Sequence, residues 1–429
     1  MSREPDLTVL LLGSGGREHA LAWAMAQSPR LKNLYALPGS DAIAQWAQNL
    51  PGDPCDPDSA VQAAKDCRAK LVVIGPEAPL AAGVSDALRQ AGLAVFGPSR
   101  AAARLESSKA FAKEFMRKHG IPTAPFEVFT EPDLARAAIK RLDAPIVVKA
   151  DGLAAGKGVA VCRDQNEALS AIDDFMEKGS LGAAGRTILL ETRLHGPELS
   201  VLAFCDGQSL RALPPSRDHK RLKDHDEGPN TGGMGAYCPA AVDPETWRAI
   251  EDKVLRRFIA GLSADKLDFR GVIFVGLMLS PEGPQVLEFN CRFGDPETQA
   301  ILPLLEEDPL ALAWDCAAGR LKPGTARARS GASICVVLAS EGYPAKPRTG
   351  VPIHGLESAR DQPGLAVFHA GTSRQGDRWL TQGGRVLGVT AVAPDLAQAR
   401  DRAYEAVSRI RFDGMQYRKD IGGKVPALR

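Results

Sequence analysis

The stretch Val286–Gln299 reads Val-Leu-Glu-Phe-Asn-Cys-Arg-Phe-Gly-Asp-Pro-Glu-Thr-Gln. Its first residues are apolar and predict a β-strand. Side chains alternate between the two faces of a strand, so Leu287 and Phe289 are expected in the core. The opposite face would then carry three polar side chains, which are Glu288, Asn290 and Arg292. The strand would therefore present two oxygen ligands and a guanidinium on one face.

This polar face predicts a metal–nucleotide site that also holds an anion. Mg²⁺ binds carboxylate and carbonyl oxygens and usually shares them with the phosphates of a substrate. The two polar residues that follow, Asp295 and Glu297, extend the same segment. The alternative interpretation is a solvated edge strand with ordinary polar residues.

Bulk composition narrows the class of protein. A chain of 429 residues with 44% hydrophobic and 24% charged residues is expected to fold into about two to four globular domains. A net charge of +1 argues against a general nucleic-acid binder. No apolar run approaches the roughly 20 residues that span a bilayer, and residues 1–12 do not resemble a signal peptide. The eight cysteines include no Cys-x-x-Cys pair and predict reduced, mostly buried thiols in a cytoplasmic protein.

The N-terminal segment has the pattern of a nucleotide-fold unit. A predicted strand, Leu7–Leu12, leads into the turn Gly13–His19, and an Ala-rich helix is predicted over Ala20–Gln27. Glu18 stands where a dinucleotide-binding motif has Gly or Ala, and the second strand lacks the expected terminal acidic residue. The turn therefore indicates a phosphate or sugar-phosphate site without NAD. A plain tight turn is the alternative.

Two more predicted strands, Leu71–Ile74 and Ala94–Phe96, alternate with helical stretches and favour a parallel sheet. Ligands bind beyond the carboxyl ends of such strands, which is where Glu77 lies. Glu77 could accept a hydrogen bond from a substrate hydroxyl or could be a carboxylate at a helix start. The helical stretches are Ser59–Ala69 and Gly83–Ala91, and a longer helix is predicted near 101–119.

A glycine-rich hairpin follows. The predicted strand Ile146–Lys149 leads into Asp-Gly-Leu-Ala-Ala-Gly-Lys-Gly, residues 151–158, and a further strand begins at Val159. This loop is not a phosphate-binding Walker motif, because Gly158 stands where Ser or Thr belongs. The glycines give the backbone conformational freedom, and Lys149 and Lys157 add positive charge. Together they predict a mobile flap over phosphates. Solvated lysines are the alternative.

The middle of the chain adds two strands that carry carboxylates, Ile188–Glu191 and Glu198–Phe204. Beyond them the residues Asp218–Arg221 precede a loop with four glycines between Gly228 and Gly235, which predicts close approach of a ligand to the backbone. His219 lacks zinc spacing with any cysteine and is predicted to form hydrogen bonds.

Five of these motifs together resemble the phosphoribosylamine–glycine ligases, a family of ATP-grasp carboxylate–amine ligases in purine biosynthesis. The resemblance covers nearly the whole chain, and the Arg-Phe-Gly-Asp-Pro-Glu string is specific to the family. The family usually has Gln where Arg217 stands. The matching motifs are Gly13–His19, Lys149–Gly158, Asp218–Arg221, Gly228–Ala236 and Arg292–Glu297.

The resemblance implies a reaction in which ATP and glycine give glycyl phosphate, which the amine of 5-phosphoribosylamine then attacks. The products would be glycinamide ribonucleotide, ADP and phosphate. The implied catalytic residues are Arg292, Lys149 and Asp218. The implied nucleotide-binding residues are Lys109, Lys149, Gly156, Lys157, Gly158, Glu191 at the adenine edge and Glu198 at the ribose. Glu288 and Asn290 would hold Mg²⁺ or Mn²⁺.

The same resemblance implies a sugar-phosphate and glycine region and a set of partners. The substrates would be glycine and 5-phosphoribosylamine, with no nucleic acid and no membrane, and the protein would be a monomer or a weak dimer. The implied substrate-binding residues are Gly13, Gly15, Gly16, Arg17, Glu18, Glu77, Asp218, His219, Arg292 and Asp295.

The expected architecture combines α/β and α+β domains. A parallel, Rossmann-like α/β domain would occupy residues 1–105 and an ATP-grasp body residues 106–321, with a lid subdomain at about 123–191. A Pro/Gly/Arg linker would lead to a small C-terminal α+β domain at 331–429. In that domain, strands are predicted over 333–338 and 386–393 and a helix over 395–409.

Two rival functions remain open at this level. One is another ATP-grasp ligase of a purine intermediate, such as a carboxylating enzyme, in which bicarbonate would replace glycine in supporting ADP release. The other is a non-catalytic or redox protein that binds NAD through the N-terminal glycine turn. The missing acidic residue at the end of the second strand and the metal-type strand at Glu288 count against the second.

Overall fold

A computed structural model describes residues 6–142, 146–154, 157–360 and 362–423. The N-terminal unit is a five-stranded sheet in the order β3-β2-β1-β4-β5, with every pair parallel, as predicted. Its strands are β1 (Leu7–Gly13), β2 (Leu31–Pro38), β3 (Gln48–Asn49), β4 (Leu71–Ile74) and β5 (Ala94–Phe96). Its helices are α1 (Gly16–Met25), α2 (Pro57–Asp66), α3 (Glu77–Ala82) and α4 (Val84–Gln90).

The first helix begins earlier than predicted. Gly15 is its N-cap, and the Gly15 N–H donates to Glu18 Oε2 at 2.8 Å, which satisfies one of the unpaired donors of the first turn. The predicted start at Ala20 was wrong because the glycines were assigned to the turn. The side chain of Glu18 supplies the cap instead, and the glycine turn is only two residues long.

The predicted helix over 101–119 is two helices, α5 (Arg100–Ser107) and α6 (Lys109–Lys118). Ser108 lies between them in an extended conformation, and its hydroxyl accepts from Phe111 N at 3.1 Å and donates to Asp151 at 3.0 Å. Serine competes with helix hydrogen bonding in this way and is favoured at N-caps. As a result, α6 begins next to the glycine loop, where Lys109 N donates to Asp151 O at 3.1 Å.

The next unit is a four-stranded sheet in the order β6-β9-β7-β8, and it has its own apolar core. The predicted hairpin is present, because β7 and β8 pair antiparallel on either side of the glycine loop. The strands are β6 (Phe126–Phe129), β7 (Ile146–Ala150), β8 (Val159–Val161) and β9 (Ile188–Thr192), and the helices are α7 (Pro132–Ile139) and α8 (Gln165–Ile172).

The central body follows. Its main sheet has the order β17-β16-β10-β11-β18. The strands from here to the linker are β10 (Glu198–Cys205), β11 (Leu210–Ala212), β12 (Arg217–Asp218), β13 (Arg221–Lys223), β14 (Glu227–Asn230), β15 (Gly235–Cys238), β16 (Gly271–Ser280), β17 (Gly283–Asn290) and β18 (Gly324–Thr325). The helices are α9 (Pro244–Ile250), α10 (Arg256–Ala264), α11 (Glu297–Ile301) and α12 (Pro309–Ala317).

The strand predicted from the opening stretch is β17, but its alternation is interrupted. Glu288 pairs with Gly276 and Val286 pairs with Leu277, so Leu287 is a bulge residue. Val286 and Phe289 are buried in the core, whereas Leu287 is only half-buried. The prediction that Leu287 fills the core was wrong, because periodicity does not reveal a bulge.

The C-terminal unit shares a sheet with the body. Its strands β19 (Ala332–Ala339), β24 (Arg385–Ala393) and β21 (Leu365–His369) extend from β15 and β12 in the order β12-β15-β19-β24-β21. The remaining strands are β20 (Pro352–Ile353), β22 (Thr372–Gln375) and β23 (Arg378–Thr381), and the helices are α13 (Leu356–Arg360) and α14 (Leu396–Arg409).

The glycine-rich segment between Gly228 and Gly235, which was predicted to be a loop, is not a loop throughout. Its last part is the buried strand β15, where Gly235 lies so close to its neighbour that a Cβ would be 2.7 Å from Cys335 O. Glycine is needed here for close strand approach rather than for a ligand. The eight cysteines are free and six are buried, as predicted. In the part of the chain that the structure describes, no helix is long and apolar enough to cross a membrane.

Candidate active site

Three lysines lie near Glu288, where β17 of the main body sheet meets β7 of the four-stranded sheet. Lys149 on β7 donates from Nζ to Leu287 O at 3.2 Å, so the bulge supplies a carbonyl to the site. Lys109 at the start of α6 donates from Nζ to Gly152 O at 3.2 Å. Burial raises the pKa of Glu288, but the charges of nearby cations outweigh it and lower that pKa below its usual range. Those cations are Lys220, Lys149, Lys109 and Arg292.

Glu191 at the end of β9 joins two lysines. Its Oε2 lies 2.9 Å from Lys149 Nζ and 2.8 Å from Lys113 Nζ. Its Oε1 is buried without a hydrogen-bond partner among the described residues. Burial, together with the neighbouring charge of Lys149, lowers the pKa of Lys113 to about 8. The sequence analysis missed Lys113, which shares a face with Lys109 at the i, i+4 spacing of α6.

The carboxylate of Glu198 is held by a third lysine, Lys220. Lys220 Nζ lies 2.9 Å from Glu198 Oε2, and Arg217 Nε donates to Glu198 O at 2.8 Å. The residue that departs from the family pattern therefore supports the backbone of Glu198. Burial raises the pKa of Asp218 to about 6, partly offset by Lys220.

Arg292 is fixed by groups from three parts of the chain. Its Nη2 lies 2.9 Å from Glu106 Oε1 and donates to Asn290 Oδ1 at 3.2 Å. Its Nε lies 3.4 Å from Glu77 Oε2 at the start of α3. The second oxygen of Glu106 accepts from Cys291 N at 2.7 Å. Glu106 was missed because nothing in the sequence of α5 distinguishes it from an ordinary surface glutamate.

We expect Glu106→Gln to misalign Arg292 and to lower the free energy of unfolding by about 1–3 kcal/mol. The reason is that the Glu106 side chain is only 6% exposed, so the substitution removes a buried, charged hydrogen-bond acceptor. Urea denaturation measures this. The matched control is Glu114→Gln, since Glu114 pairs with Arg117 on the exposed face of α6. Equal stability losses in the two variants would contradict a special role for Glu106.

The glycine turn lies against the carboxyl ends of β1 and β4. Arg17 Nε donates to Glu18 Oε1 at 2.6 Å, and Arg17 Nη1 lies 3.9 Å from Glu77 Oε2. The carboxylate of Glu18 fills the space beside Gly13 and Gly75, where a Cβ would lie within 2.6 Å of its side chain. Glu18 is thus engaged by the turn itself. Glu77 is the first residue of α3, and its carboxylate also faces Arg17 and Arg292, so the helix-start role and the substrate role both stay predictions.

The remaining predicted residues lie around this centre. Asp295 Oδ2 lies 3.3 Å from Arg385 Nη2 of the C-terminal unit. The Nδ1 of His219 is buried without a partner within the described ranges, and burial lowers the pKa of this ring to about 4. Lys157 is exposed and Gly158 buried, whereas Gly156 lies outside the described residues.

A cavity of about 500 Å³ opens between the hairpin loop, the β13–β14 hairpin and the C-terminal unit. Lys157 and Arg221 both line it, so the cavity carries two cations. The glycine loop therefore faces a space large enough for a small ligand group. Its other lining residues are Val159, Ala160, Val161, Pro229, Asn230, Pro344 and Ala345.

Comparison with known proteins agrees with this arrangement. Models of the N domain, the ATP-grasp (A) domain and the C domain of phosphoribosylglycinamide synthetase match residues 7–106, 107–298 and 333–424. The chain belongs to this family. The phosphoribosylamine–glycine ligase of Rhodopirellula baltica is 48% identical over 97% of both chains. The human trifunctional purine biosynthetic protein adenosine-3 is 46% identical, and the match spans 98% of this chain and 42% of that protein.

Solved structures give the same result. The phosphoribosylamine–glycine ligase of Thermotoga maritima is 34% identical with a TM-score of 0.85, covering 97% of this chain and all of the other. A biotin carboxylase domain from Hydrogenobacter thermophilus is 17% identical with a TM-score of 0.74 over 97% of this chain and 92% of that chain, and it shows the shared fold alone. The predicted family, the ligase class and the three-part ATP-grasp fold are confirmed.

Proposed function

We propose that this ligase joins glycine to 5-phosphoribosylamine through glycyl phosphate, with ATP as the phosphoryl donor. One observation carries the proposal most directly. Three lysines and the fixed guanidinium of Arg292 lie near Glu288 and lower its pKa. Phosphoryl transfer needs such positive charge, because catalysis there is mostly positioning and electrostatic stabilisation.

The nucleotide would lie between the four-stranded sheet that contains β7 and the main body sheet that contains β17. Lys109 and Lys149 would contact its phosphates, and the buried Glu191 Oε1 that lacks a partner would accept a hydrogen bond from the adenine edge. Glu198, held by Lys220, would accept from the ribose hydroxyls. Lys157 and the glycine loop, including Gly156 and Gly158, would close over the phosphates.

The oxygen atoms of Glu288 and Asn290 fit a divalent cation such as Mg²⁺ or Mn²⁺. Two protein ligands suffice for Mg²⁺, which completes its shell with phosphates and water. The carboxylate is kept ionised by surrounding cations, and the amide oxygen is held by Arg292 at 3.2 Å. When bound, the cation would neutralise phosphate oxygens of the nucleotide.

The residues of this chain would then act on the carboxylate of glycine. Arg292, aligned by Glu106 and Asn290, would hold the carboxylate while one of its oxygens attacks the γ-phosphorus and ADP leaves. The amine of phosphoribosylamine would attack the acyl carbon, lose a proton and expel phosphate, which carries the former glycine oxygen. The turn Gly13–Arg17 would bind the phosphate of this substrate, and Glu77 and Asp295 would accept hydrogen bonds from its sugar hydroxyls.

An ADP-release assay tests the reaction. ADP should form with glycine and phosphoribosylamine together and fall to background when either is omitted. If bicarbonate replaced glycine in supporting ADP release, the rival carboxylating function would be favoured. Binding of NAD without such ADP release would favour the redox alternative.

We expect the loop of residues 151–158 to become ordered when nucleotide binds, because lid closure keeps water from a hydrolysable acyl phosphate. Hydrogen exchange at its amides should slow about tenfold or more with a non-hydrolysable ATP analogue, a ratio set by the closed population. The amides of the buried strand β19 are the internal control. Equal exchange of the loop with and without saturating analogue would contradict a lid.

We also propose the cellular setting and the domain bounds predicted from the sequence. Eight free thiols suit a reducing compartment such as the cytoplasm. The domains would span residues 1–105, 106–321 with a lid at about 123–191, and 331–429. The protein would act as a monomer or a weak dimer, which sedimentation at several concentrations would test.

A further inference from the structure

The two carboxylate oxygens of Glu191 have unequal surroundings. Its Oε2 lies 2.8 Å from Lys113 Nζ and 2.9 Å from Lys149 Nζ, whereas its Oε1 has no hydrogen-bond partner among the described residues. The Glu191 side chain is 3% exposed. An ion pair that served stability alone would be expected to satisfy both oxygens, because an unpaired buried acceptor is costly. The unpaired oxygen therefore points to a donor that a ligand brings.

Lys113 is anchored to the body of the protein. It lies on α6, its side chain is 2% exposed, and its Nζ also donates to Thr123 Oγ1 at 2.7 Å. The Thr123 hydroxyl in turn donates to Val286 O of β17 at 2.6 Å. A lysine ammonium has three donors, and two of them are used here. Lys113 therefore ties the carboxylate of Glu191, on β9, to the strand that carries Glu288.

Lys149 holds Glu191 less firmly than Lys113 does. Lys149 lies on β7, which pairs with β9, so its backbone belongs to the same sheet as Glu191. Its other contact is Leu287 O at 3.2 Å, and in the proposed reaction it also contacts the phosphates of the nucleotide. The terminal torsion of a glutamate is broad, so the carboxylate turns toward the cation that is better fixed. Lys113 therefore decides which oxygen stays free.

We propose that Lys113 is a positioning residue that selects the base of the nucleotide. It holds Glu191 by Oε2 and so leaves Oε1 free to accept a hydrogen bond from the exocyclic amino group of adenine. This deepens the proposed function and rests on it. A carboxylate only accepts hydrogen bonds, so a base without a donor at that place leaves Oε1 unpaired. A site built around such a hydrogen bond rejects analogues that lack the donor.

The hold of Lys113 on Glu191 depends on pH. Burial and the charge of Lys149 lower the pKa of Lys113 to about 8, against the opposing effect of Glu191. The charged groups that act on Lys113 are Lys149 on β7, Glu191 on β9 and Glu288 on β17. The ammonium is present below about pH 8 and is lost as pH rises through that value, so its attraction for Glu191 weakens in the same range.

Nucleotide binding by the wild-type enzyme provides the first test. Calorimetry compares ATP with purine riboside triphosphate, which has a hydrogen in place of the amino group, with Mg²⁺ present and both glycine and phosphoribosylamine absent. ATP should bind about 10- to 100-fold more tightly near neutral pH. This preference should fall by about three- to tenfold as pH rises from about 7 to 9. The absence of any preference, or a preference that is constant over this range, would overturn the proposal.

Lys113→Met tests the residue itself, because methionine nearly keeps the length of the side chain and removes its charge. The variant should bind ATP about tenfold or more weakly and change far less in its affinity for purine riboside triphosphate. Its remaining preference for ATP should not change with pH, because the titrating group is gone. The matched control is Lys118→Met on the same helix, since Lys118 is 64% exposed and pairs with Asp265, and it should match the wild type.

The outcomes separate the two proposals. An equal loss of affinity for both nucleotides in folded Lys113→Met refutes base selection, because that pattern indicates a structural role. Wild-type affinity for ATP in this variant refutes it as well. The proposed ligase reaction stands in both cases, since it is judged by ADP release. A wild type that binds neither nucleotide refutes the proposed function first.

Discussion

Glu288→Gln should reduce ligase turnover by at least about 100-fold. Loss of one group that stabilises developing charge typically costs about 3–4 kcal/mol in the transition state, which corresponds to this factor. The substitution keeps the shape of the side chain but removes the charge on which four cations converge. Turnover should be measured as a function of Mg²⁺, and excess Mg²⁺ should partly restore it. Asn290→Ala should act in the same direction.

The control for this variant lies in the same hairpin. Glu282 is exposed in the turn between β16 and β17, where it accepts a hydrogen bond from Ser280 at 2.8 Å, so Glu282→Gln should keep wild-type turnover. Near-normal turnover of folded Glu288→Gln at limiting Mg²⁺ would rule out a metal-binding role for Glu288.

Arg292→Lys should raise the apparent KM for glycine and slow turnover by about 100-fold or more. Lysine keeps the charge but loses the planar fork that matches a carboxylate. In this structure the fork contacts Glu106, Asn290 and the backbone at Phe293 simultaneously, which one ammonium cannot reproduce. Arg320→Lys is the matched control, since Arg320 pairs with Asp315 at the surface.

The role assigned to Arg292 depends on glycyl phosphate, which isotope transfer tests directly. Glycine labelled with oxygen-18 in its carboxylate should yield labelled inorganic phosphate, because the bridging oxygen leaves with the phosphoryl group when the amine attacks. Mass spectrometry of the released phosphate measures the label. Unlabelled phosphate from the wild-type reaction would rule out the acyl-phosphate mechanism, whatever the result for the Arg292 variant.

Much of the fold could be predicted because local signals were strong. The parallel N-terminal strands are short and apolar, with helical stretches between them, and all of them form the expected sheet. The hairpin around residues 151–158 was visible from its glycines and flanking strands. Errors occurred where a single residue changed the local geometry, as at Ser108 between α5 and α6, at the bulge residue Leu287 and in the buried strand at Gly235.

The sequence by itself determined which functional groups the site can use. These are the family motifs, the polar strand at Glu288 and Asn290, and the lysines at the glycine loop. Only the tertiary structure decided which charges meet. Glu106 reaches Arg292 across 186 positions of the sequence, and Lys113 reaches Glu191 across 78. Periodicity reports which face of an element a residue occupies, but pairing of buried charges depends on how separate elements pack, and that information is not local.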